Sequence, residues 1–267
     1  MLKIKLKYFL FKEKGMKKFV KVYWKTILFF TLIGLVGGFF LGLYTLDSYP
    51  EEMRQQILDQ GINEIVFAVI TAMQSAGYGF VLGTLGILLS KQIGLWKDEK
   101  TIARTPLIIT IIIALVGGLL MILPDILFFG QYSEVIMDSY VAKPTISYFM
   151  ASVTYGAVIE EVMLRLFMMS LIAFILYKLF GKKNGSVTAT TLIISNVIAA
   201  LLFAVAHLPA TFIMIGSTPL IIFRCLLLNG GLGLLFGYLY RKYGLRYAML
   251  AHGGCHIVSK LIWIIFI

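Results

Sequence analysis

The chain has 267 residues, of which 60% are hydrophobic and 14% charged, with a formal net charge of +11 and a mean hydropathy of +0.91. Soluble domains carry about a quarter charged residues, so this composition excludes an ordinary soluble domain and points to one embedded in a membrane. The positive balance does not imply nucleic acid: nine lysines fall in the first 25 residues, and most other basic residues lie in short connecting segments, as the cytoplasmic flanks of membrane helices do.

In chain order, residues 1–25 read as a basic cytosolic or interfacial segment. Such a segment attracts anionic lipid at about 1 kcal/mol per Lys or Arg. It is not a cleavable signal, because the apolar stretch after it is too long and lacks a small-x-small site. Residues 26–267 read as a single integral membrane domain. Apolar stretches recur at 25–46, 65–90, 106–130, 146–179, 188–208, 216–240 and 246–267. Each is near or above the roughly 20 residues that a membrane helix needs. The predicted fold class is therefore all-α, a polytopic transmembrane helix bundle of about seven spans, with eight allowed.

The connecting segments alternate in charge. Asp47 to Asp59 is mostly acidic, Lys91 to Arg104 carries four basic residues, and the segment around Glu134 and Asp138 is acidic. Lys178, Lys182 and Lys183 are basic, 208–219 is uncharged, and Arg241, Lys242 and Arg246 are basic. The positive-inside rule then predicts a cytosolic N-terminus and an external C-terminus. Gly34-Gly38-Gly42, Gly79-Gly83 and Gly233-Gly237 are small-xxx-small faces suited to close helix packing. Asn229 needs a partner at membrane depth, and packing is its predicted role beside Gly233. Pro124-Asp125 predicts a kink or an exit at the end of the third stretch. Cys225 and Cys255 lie inside apolar stretches without Cys-x-x-Cys spacing and read as packing residues. No internal repeat is visible, which weighs against a secondary transporter.

The fourth stretch carries the chemistry. Glu160, Glu161 and Arg165 sit within it, and charges at membrane depth cost several kcal/mol and mark function by default. Glu161 and Arg165 are four apart and share a helix face, with the acid on the favourable N-terminal side. Glu160 is turned about 100° away by the α-helical period, so Arg165 should satisfy Glu161 and leave Glu160 free. The alternative is a structural cluster that locks two helices.

All three histidines of the chain, His207, His252 and His256, lie in or at the end of late apolar stretches. His252 and His256 are one turn apart on one face, and Phe203 precedes His207 by one turn. One such histidine would read as a packed core residue. Three of them in the half that holds the buried glutamates read as a site. A carboxylate that takes a proton from water, with imidazoles that orient it and stabilise a tetrahedral oxyanion, is a hydrolytic set. Two histidines and a glutamate also form a catalytic zinc set, although no His-Glu-x-x-His is present.

Glu-Glu-x-x-x-Arg, Phe-x-x-x-His and His-x-x-x-His, in this order on successive late helices, resemble the CAAX protease and bacteriocin-processing family, also called CPBP or Abi. The resemblance covers about 150–267, so the protease core is set at 146–267. It implies an intramembrane endopeptidase of a bacterial cell membrane, whose partner is a peptide or protein substrate at the membrane. By similarity Glu160 and His207 activate the water, His252 and His256 stabilise the oxyanion, and Arg165 braces Glu161. Members that process prenylated proteins commonly carry Asn where this chain has His256. The family is often labelled metalloprotease, which would make His207, His252, His256 and Glu160 candidate zinc ligands; it also allows a glutamate-type mechanism. A non-catalytic immunity or scaffold protein and a proton-coupled transporter are the other readings.

Depth poses a problem. Glu160 and His207 lie about 30 Å from the cytosolic ends of their helices, and His252 only about 9 Å from its own, at 1.5 Å per residue. The fourth helix is therefore expected to tilt or protrude, or the seventh to start deep.

Overall fold

The computed structural model describes residues 13–98, 101–180 and 186–267. Residues 1–12 of the basic N-terminal segment, together with Lys182 and Lys183, lie outside the described residues. Among the described residues there is no strand, and seven helices are long and apolar enough to cross a membrane. They are α1 (Glu13–Asp47), α2 (Glu64–Gln92), α3 (Arg104–Leu120), α4 (Ile146–Phe180), α5 (Ala189–Ala206), α6 (Pro219–Tyr243) and α7 (Leu245–Phe266). Large apolar side chains such as Ile108, Ile112, Leu201 and Ile265 are exposed on the outside of the bundle. A bilayer, not water, is the solvent that suits such a surface.

The glycine faces are where helices approach most closely. A Cβ placed on Gly34 would lie 2.6 Å from the Ser75 carbonyl oxygen, and one on Gly42 would lie 2.6 Å from the Ala68 Cα. The backbones of α1 and α2 thus touch along Gly34-Gly38-Gly42, where any larger residue would force them apart. Gly79 and Gly83 meet Phe30 from the other side of the same contact. Both cysteines are buried free thiols. Cys255 packs on Gly117 of α3, and Cys225 lies 3.3 Å from the Thr211 hydroxyl.

Four boundaries differ from the sequence reading. α1 starts at Glu13, within the segment 1–25 read as cytosolic or interfacial, because the helix continues beyond its apolar part into the basic flank. The acidic segment after α1 forms a short helix, Glu51–Asp59, with no buried residue. After α3 and Pro124 the chain rewinds as a π turn, Asp125–Phe129. Proline breaks the α hydrogen-bond ladder, and a wider turn lets helical winding resume beyond it. After α5 the winding resumes in Leu208–Met214, with Pro209 in its first turn, where proline is tolerated. The apolar rod therefore extends past His207 to Met214.

The length of α4 accounts for the depth problem. Ser170 shares a 2.8 Å hydrogen bond with Tyr240, which lies one turn before the α6–α7 turn at Gly244. That turn needs glycine, since Gly244 has φ 110°. From that level α4 runs on to Phe180, about 15 Å, whereas α6 reaches Gly244 in about 6 Å, so α4 ends about 9 Å past the α6–α7 turn at 1.5 Å per residue. Protrusion of the fourth helix lets His252, near the start of α7, meet Glu160 far up α4.

Candidate active site

The site forms where α4 and α7 run antiparallel. Its side of α4 is wound as two π stretches, Ser152–Glu160 and Val162–Met169. A π turn closes i→i+5 bonds and takes more residues to go round, so neighbouring side chains diverge by less than in an α-helix. Glu160 and Glu161 therefore lean toward a common side more than α periodicity predicts, and both reach His252. Two π segments in sequence were not legible beforehand; such segments are frequent at functional sites.

Glu161 is fully buried, and Arg165 is 1% exposed. Arg165 Nη1 stands 3.2 Å from Glu161 Oε1, the i,i+4 pair read from the sequence. The guanidinium also donates to the Gly233 carbonyl at 3.2 Å. It lies over two rings, 4.5 Å from the centroid of Phe203 and 5.5 Å from that of Phe236. Gly233, predicted only as a packing residue, has this added role, because a Cβ there would come 3.3 Å from Arg165 Nη2. Asn229 bonds within its own helix, to the Cys225 carbonyl at 2.9 Å.

His252 corrects the expected division of labour. Arg165 pairs with Glu161 as its spacing predicts, but the histidine expected beside Glu160 also joins them: His252 Nδ1 bonds Glu161 Oε1 at 2.9 Å, so one carboxylate oxygen serves both the guanidinium and the imidazole. His252 Nε2 faces Glu160 Oε2 at 3.9 Å. That is too long for a hydrogen bond and leaves room for a bridging water. The Glu160 side chain is 19% exposed, against none for Glu161, so the two neighbouring acids sit in different surroundings.

The His252 ring stacks on Phe236 at 4.5 Å and on His256 at 5.0 Å. His256 Nδ1 and Glu161 Oε2 are buried polar atoms without a hydrogen-bond partner among the described residues. Unpaired buried atoms are costly and rare in native structures. Gly156, not singled out from the sequence, makes space beside both imidazoles: a Cβ there would lie 3.2 Å from His256 Nε2 and 3.9 Å from His252 Nε2. The available signal was a glycine one turn before Glu160.

His207 is attached less directly. Its Nδ1 bonds the Phe203 carbonyl at 2.8 Å within its own helix, and its ring stands edge-on to Phe203 at 4.6 Å. Phe203 is in turn edge-on to His252 at 6.0 Å. The structure thus brings Glu160, Glu161, Arg165, His252 and His256 into one cluster and joins His207 to it through the Phe203 ring.

The candidate zinc set does not fit this arrangement. Among the described residues, no three His, Cys, Asp or Glu side chains are gathered as a metal site. His252 is engaged by Glu161, its ring lies within 26° of parallel to that of His256, and His207 Nδ1 is tied to the Phe203 carbonyl.

Residues 142–258 match the family model described as Type II CAAX prenyl endopeptidase Rce1-like. No curated protein and no solved structure matches the chain.

Proposed function

We propose, from the premise that residues 142–258 make this chain a member of the Type II CAAX prenyl endopeptidase Rce1-like family of intramembrane endopeptidases, that it cleaves a membrane-associated peptide with a water activated by Glu160 and oriented by His252. The observation that carries this reading is the line Glu161–His252–Glu160. Glu161 accepts the Nδ1 hydrogen of His252 at 2.9 Å, and His252 Nε2 faces Glu160 at 3.9 Å. A carboxylate on Nδ1 fixes the tautomer and stabilises an imidazolium, as the acid of a catalytic triad does.

In the proposed reaction a water lies between Glu160 Oε2 and His252 Nε2. Glu160 takes one of its protons, and the oxygen bonds to the scissile carbonyl carbon. The oxyanion that forms is stabilised by His256, whose ring borders the space beside Gly156. The carbon–nitrogen bond then breaks, and the proton held by Glu160 passes to the leaving amine. His207, with Nδ1 tied to its own helix, contributes through Nε2. Arg165 positions Glu161 and does not meet substrate. The substrate class is a hydrophobic or lipid-modified peptide that reaches the site through the bilayer. The loop charges favour a cytosolic N-terminus resting on anionic lipid.

Two measurements test this. Purified protein in lipid nanodiscs is given a library of hydrophobic peptides, and cleavage is read by mass spectrometry. Cleavage by wild type and its loss in Glu160→Gln, at equal protein level, is the expected result; equal cleavage by both would overturn the mechanism. For orientation, a cysteine at Val135 should react with an impermeant reagent added to intact cells, and one at Lys97 should not. The reverse pattern would invert the topology.

A further inference from the structure

A cavity lies apart from the reacting groups, at the end of the bundle where the basic residues gather. It has a volume of about 230 Å³ and sits between α1, residues 95–97 that follow α2, and the α6–α7 turn. Phe29, Trp96, Tyr240 and Met249 supply its apolar wall, and Lys97 and Arg246 border it. Sites that enclose a whole small molecule measure about 300–1,000 Å³. This one is suited to part of a molecule whose remainder stays outside. On the α1 side the outside is lipid: Phe29 is 50% exposed and Leu28 45%, on a helix apolar enough to cross a membrane.

Both cations are set in place by the fold. A Cβ on Gly244 would lie 3.1 Å from Lys97 Cγ. The stem of Lys97 therefore rests on the α6–α7 turn, and the residue is exposed, as a lysine is when its stem covers protein and its ammonium reaches the polar side. Arg246 Nη1 donates to the Thr101 carbonyl at 3.2 Å, which holds the guanidinium at this end. The acid next in sequence, Asp98, accepts from the Trp96 indole at 2.5 Å and lies 3.6 Å from Lys91. On α1, Lys25 is one turn before Phe29 and Lys21 one turn before that, so the basic border continues along one helix face. Loop charge assigns this end to the cytosolic leaflet, where tryptophan marks the headgroup level and anionic lipids attract basic residues. The parts match those of one lipid: an apolar recess for a chain, cations for a phosphate, and an indole between them.

We propose that this cavity is a discrete binding site for an anionic phospholipid of the leaflet at the basic end of the bundle. The first part of one acyl chain lies against Phe29 and Met249, and the phosphate meets Lys97 and Arg246. This goes beyond a diffuse attraction of the N-terminal segment for anionic lipid, and it does not depend on the proteolytic reading. The α1 and 95–97 walls lie outside the family match, which starts at 142.

Trp96 supplies the reporter. The full-length protein carrying Trp24→Phe is placed in phosphatidylcholine nanodiscs, and its tryptophan fluorescence is quenched with a minor fraction of lipid brominated in the acyl chain. Trp263, at the far end of α7, contributes alike before and after a change at Lys97. Brominated phosphatidylglycerol should quench in preference to brominated phosphatidylcholine by about tenfold or more, as two basic residues near a membrane surface give. Lys97→Met should lower that preference about fivefold, and Lys97→Arg should keep it. Lys178→Met, which removes a charge at the same end but away from the cavity, should leave it unchanged. Equal quenching by the two lipids overturns the proposal, as does an unchanged preference in Lys97→Met. An equal fall in Lys178→Met also overturns it, by reducing the effect to general surface charge. Loss of the preference in millimolar inorganic phosphate would assign the cations to a soluble phosphate and overturn the lipid. Unchanged quenching with a raised KM for peptides in Lys97→Met would assign the cavity to substrate instead.

Discussion

Among the described residues there are two buried acid–arginine pairs, and they are built differently. At one end of the bundle Asp125, fully buried, accepts from Arg224 Nε at 2.5 Å and from Arg224 Nη2, and Tyr140 donates to it at 2.7 Å. Tyr140 is itself pinned: its ring lies 5.0 Å from Trp263, whose indole N–H donates to the Tyr140 carbonyl at 2.9 Å. Both oxygens of Asp125 are occupied, and the fork joins the π turn after α3 to α6. In the other pair, Glu161 offers one oxygen to two partners and leaves the second with none, and Arg165 Nη1, at 3.2 Å, lacks the alignment of a hydrogen bond. A bidentate, saturated pair fixes structure. A pair with open valences is held in place by its surroundings and keeps capacity for a further group. Charge and burial alone do not separate the two; the count of satisfied atoms does.

This contrast can be tested by perturbing each side. The largest effect is expected at the open site. Glu160→Gln keeps the shape but removes the base, and cleavage should drop about 10²–10⁴-fold with protein level unchanged. An active Glu160→Gln would move the chemistry elsewhere. Gly156→Ala comes next. The added methyl crowds His256 Nε2 at 3.2 Å and fills the space beside both imidazoles, so kcat should fall about 10–100-fold, as small misplacements at a reacting centre do. A fully active Gly156→Ala would mean that the reacting groups lie on the other side of the rings. The closed pair should respond in a different quantity. Arg224→Met leaves Asp125 buried and unpaired, at a cost of about 3–5 kcal/mol, read as a lower unfolding midpoint in detergent. Activity per folded molecule should be unchanged; a loss of activity without a loss of stability would erase the distinction. Smallest of all, prolonged incubation with a chelator should leave cleavage unaltered, since no three His, Cys, Asp or Glu side chains gather as a metal site among the described residues. Reversible inhibition, with close to one equivalent of metal in the purified protein, would mean that they rearrange around it.

How much of this was legible depends on the range of the interaction. Hydropathy located all seven spans, although α1 starts at Glu13 and not at 25, because lipid exposure is a property of each stretch by itself. The Glu161–Arg165 pair was legible for a similar reason: i,i+4 neighbours meet on any helix of about this pitch. The bond from His252 to Glu161 was not, since it joins residues 91 apart and depends on how far α4 overhangs α7. Arg224 and Asp125 are 99 apart and were missed for the same reason. Lys260 was passed over because a single lysine near the end of an apolar stretch ordinarily reaches back to the interface. Here it is 2% exposed, with Nζ 3.9 Å from the centroid of the Tyr148 ring.

Phe203 has a consequence of its own. Its ring lies face-on to the Arg165 guanidinium and edge-on to His207 and His252. An aromatic ring carries a quadrupole, negative on the face and positive at the edge. The face therefore draws on the cation that braces Glu161, while the ring as a whole bears no net charge and takes no proton. Leucine in its place would keep the hydrocarbon bulk and lose this polarisation, leaving Arg165 with one fewer partner in a region where water offers none. Part of the electrostatic support of the site thus comes from a residue that every hydropathy scale counts as oil.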